Sequence, residues 1–125
     1  MLKHLVRVVH NALRERSKRT SRSPQWPHVE KTFLATHSSC AACGLSKSLN
    51  VHHKKPFHLH PEDELDPTNL ISLCMGPNEC HIRVGHGDNF KAYNPNVEKD
   101  AAESLVNAAA RQSIWARAKA NRLMA

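Results

Sequence analysis

Cys40-Ala41-Ala42-Cys43 … Val51-His52-His53 … Pro67-Thr68-Asn69-Leu70 … Cys74 … Cys80-His81 … His86 is the stretch that decides how this chain folds. It contains all four cysteines of the protein, and His52, His53, His58, His60, His81 and His86 of its ten histidines. Thiols and imidazoles concentrate in this way where transition metals bind, because both ligate once deprotonated. Cys40-x-x-Cys43 is a knuckle that aims two thiolates at one ion, with Gly44 free to take a positive φ. Cys74 and Cys80 form a second pair. Two pairs together supply the four ligands of tetrahedral zinc, and the spacing favours this over four free core thiols. With all four positions filled by protein, such an ion is structural.

Working outward, Leu49–His53 is a short strand, and 54–67 is a long loop carrying Pro56, Pro61 and Pro67 with the acids Glu62, Asp63, Glu64 and Asp66. Leu70–Leu73 is a second strand, and a helix around Cys80–Val84 follows. Upstream, Ser23-Pro24 and Trp26-Pro27 make a turn. Val29, Phe33 and Leu34 then give a one-sided stripe ending near Thr36, so a short helix is expected, with Trp26 in the core or as a lid. Residues 87–96 read as loop. Residues 97–123 read as one long helix, because they are Ala-rich and free of Gly and Pro. Asn96 is its expected cap, Glu98 and Asp100 lie in its first turn, and Arg117, Lys119 and Arg122 near its end match the helix dipole. Ala101, Leu105, Ala108, Ala109 and Trp115 fit its packing face. The expected class is α+β: a small zinc-stapled core flanked by helices, with a basic arm at 1–23, the core at 24–96 and the C-terminal helix at 97–125.

A chain of 125 residues is one small domain, for which a structural metal is a common staple. Lys and Arg total 18 against 11 acids, a net charge of +7, which favours a polyanionic partner over a merely solvated basic surface. Leu2, Leu5, Val6, Val9 and Leu13 recur at helical spacing, so a short amphipathic helix is expected up to about Glu15. The segment 1–23 reads equally as an arm along a nucleic-acid backbone or as a basic tail. No apolar run approaches a bilayer span, and no secretory signal is visible. The expected setting is therefore cytoplasmic, of bacterial or phage type, where cysteines bind metals more often than they form disulfides.

The ordered series His53, Asn69, His81, set inside two cysteine pairs, resembles the HNH endonucleases, members of the ββα-metal (His-Me finger) nucleases. The resemblance covers residues 22–95, with its sharp motifs between 40 and 86. It implies a ββα core, a metal-dependent endonuclease activity on DNA phosphodiester bonds, and one divalent ion beside the structural Zn²⁺. The second cysteine pair has five intervening residues where the family usually has two. By the resemblance His53 is the general base, and imidazole suits that role because it titrates near neutrality. His52 and His81 are implied metal ligands. Many family members carry Asp where His52 stands, so the site is softer and admits Mn²⁺, Co²⁺, Ni²⁺ or Zn²⁺ as well as Mg²⁺.

His86 is a further candidate ligand. Five residues on an α-helix is about 140° away from His81, off its face, unless Gly85 breaks the helix. Asn69 is expected to tie the 54–67 loop to the strand and so fix the backbone around His53. His58 and His60 read as loop histidines. Arg22, Lys54, Lys55, Arg83 and Lys91 are candidate DNA contacts, with solvated charge as the alternative. The competing reading is a non-catalytic zinc-stabilised nucleic-acid-binding module. It would need the cysteines and cations but has no use for the histidine series.

Overall fold

The computed structural model describes residues 21–124. The expected helix through Glu15, and all of the basic arm before Ser21, lie outside the described residues. Helix α1, Trp26–Thr36, is followed by strand β1, Leu49–His53, and strand β2, Leu70–Cys74. A π-helical turn, His81–Gly85, leads to helix α2, Val97–Val106, and helix α3, Arg111–Met124. Among the described residues the class is α+β with one two-stranded sheet.

Strands β1 and β2 pair antiparallel, with His52 opposite Ile71 and His53 opposite Leu70. Directly opposed residues share a face of the sheet, and neighbours along a strand do not. One face therefore carries His52, Ile71 and Leu73, and the other carries His53, Val51 and Leu70. Phe33 of α1 packs with Val51 and Leu70 on the second face, flanked by Trp26, Val29 and Leu34. Ile71 and Leu73 pack on the first face with Val84, Val97, Ala101 and the cysteine-bearing turns. The helix stripe and both strands were readable because each follows its own period, 3.6 or 2.

The C-terminal span is helical as expected but not continuous. Asn107 has φ −143° and ψ 86°, and Ala108–Ala110 is a 3₁₀ turn. Asn competes locally with helical hydrogen bonding and favours helix ends, a weak preference that tertiary contacts can exploit. Arg117 of α3 reaches Asp100 at 2.6 Å and Glu103 at 2.7 Å in α2, and Arg111 Nε donates to the Ser104 carbonyl. These bonds fold one helix onto the other, which a continuous helix could not allow. The break also shifts the packing face. Ala101, Ile114 and Ala118 are buried, whereas Leu105 is 47% exposed and Ala108 and Ala109 face solvent. Asn96 stands at the start of α2 without a capping side-chain bond. Asn94 Oδ1 accepts from the N–H of Asn96 itself at 3.0 Å, fixing the chain's entry to the helix without capping it.

Asp100 is fully buried and accepts from Arg117 Nε at 2.8 Å and Asn94 Nδ2 at 3.0 Å. Asn94 Nδ2 also donates to the Val84 carbonyl at 2.8 Å, tying the π turn to both C-terminal helices. Among the described residues no helix is long and apolar enough to cross a membrane. Asp100→Ala leaves Arg117 with Glu103 alone and Asn94 Nδ2 with the Val84 carbonyl alone, and is expected to destabilise the fold by about 1–3 kcal/mol, read as a lowered urea midpoint.

Candidate metal and histidine site

The four cysteines converge. Cys40 lies at the start of its knuckle, where its carbonyl accepts from the Gly44 N–H and its N–H donates to the Leu45 carbonyl. Gly44 takes φ +81°, the conformation the tight turn requires. The Ala41 N–H donates to the Ser72 carbonyl at 2.9 Å, docking the knuckle on β2 beside Cys74. Cys40 Sγ accepts from the N–H groups of Ala42 and Cys74, each at 3.4 Å. Cys80 closes the group after the turn 75–79. The four sulfurs lie within 4.8 Å of one another, and Cys43 and Cys74 are 3.7 Å apart. Tetrahedral zinc with ~2.3 Å bonds to sulfur sets its ligands about 3.8 Å apart, so this cluster could hold a structural metal. The hydrogen bond from Cys80 pulls the Cys40 thiol down to about 4, while Cys80 itself is pushed up.

A second convergence joins the strand to the π turn. Ring nitrogens of His52, His81 and His86 lie within 4.8 Å of one another. His86 Nε2 and His81 Nε2 are 3.2 Å apart. The helix expected around Cys80–Val84 is a single π turn, and the wider winding is what places residue i+5 back over residue i. On an α-helix His86 would have pointed away. Each of these two histidines also has an acceptor at its other nitrogen. His86 Nδ1 donates to the Ala92 carbonyl at 2.9 Å, and His81 Nδ1 faces Met75 Sδ at 3.3 Å. A proton held on Nδ1 leaves Nε2 as a bare lone pair. The His86 Nε2 lone pair thus faces His81 Nε2, which meets it either as an N–H donor or, with both nitrogens bare, as the second ligand of a shared cation, so the three imidazoles could hold a metal ion.

Burial pushes His52 well below the usual histidine value, with its neighbours His86 and His81 adding to the effect. Burial and the neighbouring His86 bring His81 down to about 4. His86 is lowered by burial, partly offset by its bond to Ala92. All three are therefore neutral at pH 7, the form that ligates.

His53 stands on the opposite face of β1, yet at the strand end it lines the same cavity of about 340 Å³. His52, His81, His86, Arg22, Phe57 and Phe90 also line it. A carbonyl can only accept, so His53 Nε2 donates to the Glu64 carbonyl at 2.9 Å, and its Nδ1 is left without a proton. Arg22 Nη1 approaches that Nδ1 at 3.4 Å. Trp26 lies against the ring with centroids 4.5 Å apart and also flanks the Phe33, Val51 and Leu70 cluster, so it joins the core to the edge of the site. Burial lowers the His53 pKa first, the bond to Glu64 opposes it, and Arg22 lowers it further.

Asn69 is buried, and its side chain is spent on backbone. Oδ1 accepts from Lys55 N at 2.8 Å, and Nδ2 donates to the carbonyls of Lys55 and Asp63 at 3.1 and 3.2 Å. The loop is thus pinned at both ends beside His53.

The five candidate cations fall in different places. Arg22 lines the histidine cavity. Lys54 pairs with Glu98 at 3.2 Å and Lys55 with Asp63 at 3.6 Å, around a separate cleft that Asn69 and Tyr93 also line. Arg83 pairs with Glu79 and lies over the Trp115 ring at 4.4 Å. Lys91 is exposed beside Phe90. His60 meets Glu62 at 3.3 Å in the loop, away from the histidine cluster, and His58 lines the cavity's edge. Glu64, Ala92, Met75 and Phe90 were not singled out from sequence. Glu64 and Ala92 act through backbone carbonyls, which leave no trace in residue identity. No protein-family model, curated protein or solved structure matches this chain.

Gly85 fixes the triad sterically. A Cβ there would lie 3.1 Å from Leu73 Cδ1 and 3.2 Å from both His52 Cε1 and Nδ1. Gly85→Ala is therefore expected to displace the His52 ring and cost about 1–3 kcal/mol, seen as a moved His52 ring signal in NMR and a lowered melting point.

Acidification supplies a second expectation. The folded pKa of His81 is about 4 against 6.5 in the unfolded chain, so the unfolded state binds its proton first as pH falls. Stability is complete above about 6.5 and is lost progressively down to about 4. For His81 alone the loss is about 1–3 kcal/mol, and His81→Gln should flatten that part of a stability-versus-pH curve measured by urea unfolding.

Proposed function

We propose that this protein is a metal-dependent endonuclease of the HNH type that hydrolyses DNA phosphodiester bonds, stapled by Zn²⁺ at Cys40, Cys43, Cys74 and Cys80. The observation that carries the reading is the pairing of His53 with the three-histidine cluster across one cavity. The Glu64 carbonyl holds the His53 proton on Nε2, so Nδ1 is the ring's acceptor; Arg22 Nη1 meets it at 3.4 Å, and it is free for water once Arg22 turns to the phosphate. Neither a zinc-stabilised binding module nor a protein-docking domain has a use for that arrangement.

Phosphodiester hydrolysis requires a deprotonated water, charge stabilisation at the phosphate, and neutralisation of the leaving 3′-oxygen. His53 Nδ1 accepts the proton of the attacking water, and the Glu64 carbonyl stabilises the resulting imidazolium through Nε2–H. Arg22, fanned between the rings of Trp26 and Phe57 at 5.4 and 4.8 Å, presents its guanidinium to the scissile phosphate. Asn69 holds the loop that carries the Glu64 carbonyl. His52, His81 and His86 hold the divalent ion, which when bound contributes positive charge to the phosphate and to the departing oxygen. Three imidazoles without a carboxylate favour Mn²⁺, Co²⁺, Ni²⁺ or Zn²⁺ over Mg²⁺ alone. Net positive charge supplies the sequence-independent part of DNA affinity, which falls as salt rises.

The test is incubation of purified protein with plasmid and a panel of divalent ions, alongside metal analysis and DNA-binding assays. Wild type should carry two ions per chain when loaded and should cut. His53→Ala should keep its fold, both ions and DNA affinity, and lose about 10²–10⁴-fold in rate. The wild-type rate should rise with pH and level off, with a midpoint below the ordinary histidine value of 6.5, because burial favours the neutral base. Folded, metal-loaded protein that binds DNA and leaves it uncut would replace the nuclease with the binding module.

A further inference from the structure

Glu64 is a fully buried carboxylate beside a cavity that a polyanion is proposed to enter. Burying a carboxylate is costly unless its oxygens are satisfied, so what satisfies them is informative. Both oxygens accept from the Ser23 backbone N–H at 3.1 Å. Oε2 also lies 3.9 Å from Arg22 Nη1. The same Nη1 is the atom 3.4 Å from His53 Nδ1. The backbone carbonyl of Glu64 meanwhile holds His53 Nε2. One residue thus grips the base with its main chain, and with its side chain grips the point where the basic N-terminal segment joins the core.

We propose that Glu64 is the positioning residue of the site: its carbonyl sets the His53 ring, and its carboxylate sets the Arg22 guanidinium that receives the phosphate. This rests on the nuclease reading. Arg22 is 49% exposed on its side chain, and a long exposed cation has no fixed position of its own. The Ser23 clamp fixes its backbone, the Glu64 charge draws its guanidinium inward, and the Trp26 and Phe57 rings flank it. The guanidinium is then preorganised next to the base rather than recruited by substrate, which is where positioning contributes most to rate. The four other candidate cations do not line this cavity.

The test is single-turnover plasmid cleavage at saturating DNA for wild type, Glu64→Gln, Arg22→Gln and the double variant, with melting points, metal content and DNA affinity measured in parallel. Gln keeps the size of the side chain and an acceptor for Ser23 but removes the charge. Glu64→Gln should lose about 10–100-fold in rate at saturating DNA while affinity, fold and ion content stay near wild type. A packing role alone would lower the melting point instead. Because both residues act through one guanidinium, the double variant should be hardly slower than either single one. Additive losses, or a folded Glu64→Gln protein cutting at the wild-type rate, would overturn the proposal. If Glu64→Gln does not fold, Arg22→Gln decides: a loss at saturating DNA supports it, and full activity leaves Glu64 nothing to position. Wild-type protein that is folded and metal-loaded yet uncutting would remove the nuclease reading and this inference together, whereas a cutting wild type with unaffected variants removes this inference alone.

Discussion

A ladder of five residue pairs between β1 and β2 cannot stand in water by itself, because two short strands bury too little. Everything else in the described structure exists in relation to that ladder. Helix α1 covers the face with Val51 and Leu70, and the π turn with the C-terminal helices covers the face with Ile71 and Leu73. The cysteine knuckle docks on β2 through the Ala41–Ser72 bond, at the middle pair of the ladder. The ladder in turn dictates the chemistry. Adjacent histidines on one strand must leave on opposite faces, so His52 meets the π turn and His53 meets Trp26 and Glu64. Only at a strand's end can two such side chains share a cavity, and both stand at the end of β1.

The π turn solves a related problem of phase. His81 and His86 are five apart, which α-helical winding would separate by more than a third of a circle. One turn of wider winding aligns them at a 3.2 Å approach, and Gly85 lets the His52 ring press against its backbone. A side chain at residue 85 would have to occupy the space the ring fills. The Asn94–Val84 bond and the Asp100–Arg117 pair then hold the turn from behind. The C-terminal helices therefore act on the histidine cluster without contributing a ligand to it.

The sequence made some of this visible and concealed the rest for physical reasons. Strands, α1 and the cysteine pairs follow local patterns, and each formed where it was expected. Asn69 was readable only through the ordered histidine series around it, because an Asn after Pro67 taken alone reads as an ordinary turn residue; in the structure its side chain bonds to the backbone of Lys55 and Asp63. The π turn was hidden: Gly85 marked a break in an α-helix, but only tertiary demand selects wider winding. The break at Asn107 was hidden for the same reason, since local preference there is weak and Arg117 lies ten residues away. The Glu64 and Ala92 carbonyls were hidden because any residue has a carbonyl. Glu64 itself read as one of four acids in the loop. Its burial becomes understandable only when Ser23, forty-one positions away in sequence, arrives beside it.

The charge of +7 also reads differently once the fold is known. Composition counts every cation alike, but a cation already paired must give up its partner before it binds a phosphate. Lys54, Lys55 and Arg83 have carboxylates within 4 Å, so their contribution is reduced by competition within the protein. At the surface that competition is weak, on the order of 1 kcal/mol or less for each pair, and a dense polyanion can win it. Arg22 differs in kind, because its carboxylate partner is buried and directs it toward the cavity rather than away from it. Overall affinity for a polyanion can therefore draw on the whole basic surface. On the proposed nuclease reading, placement of one phosphate beside His53 would depend on a single buried acid, Glu64.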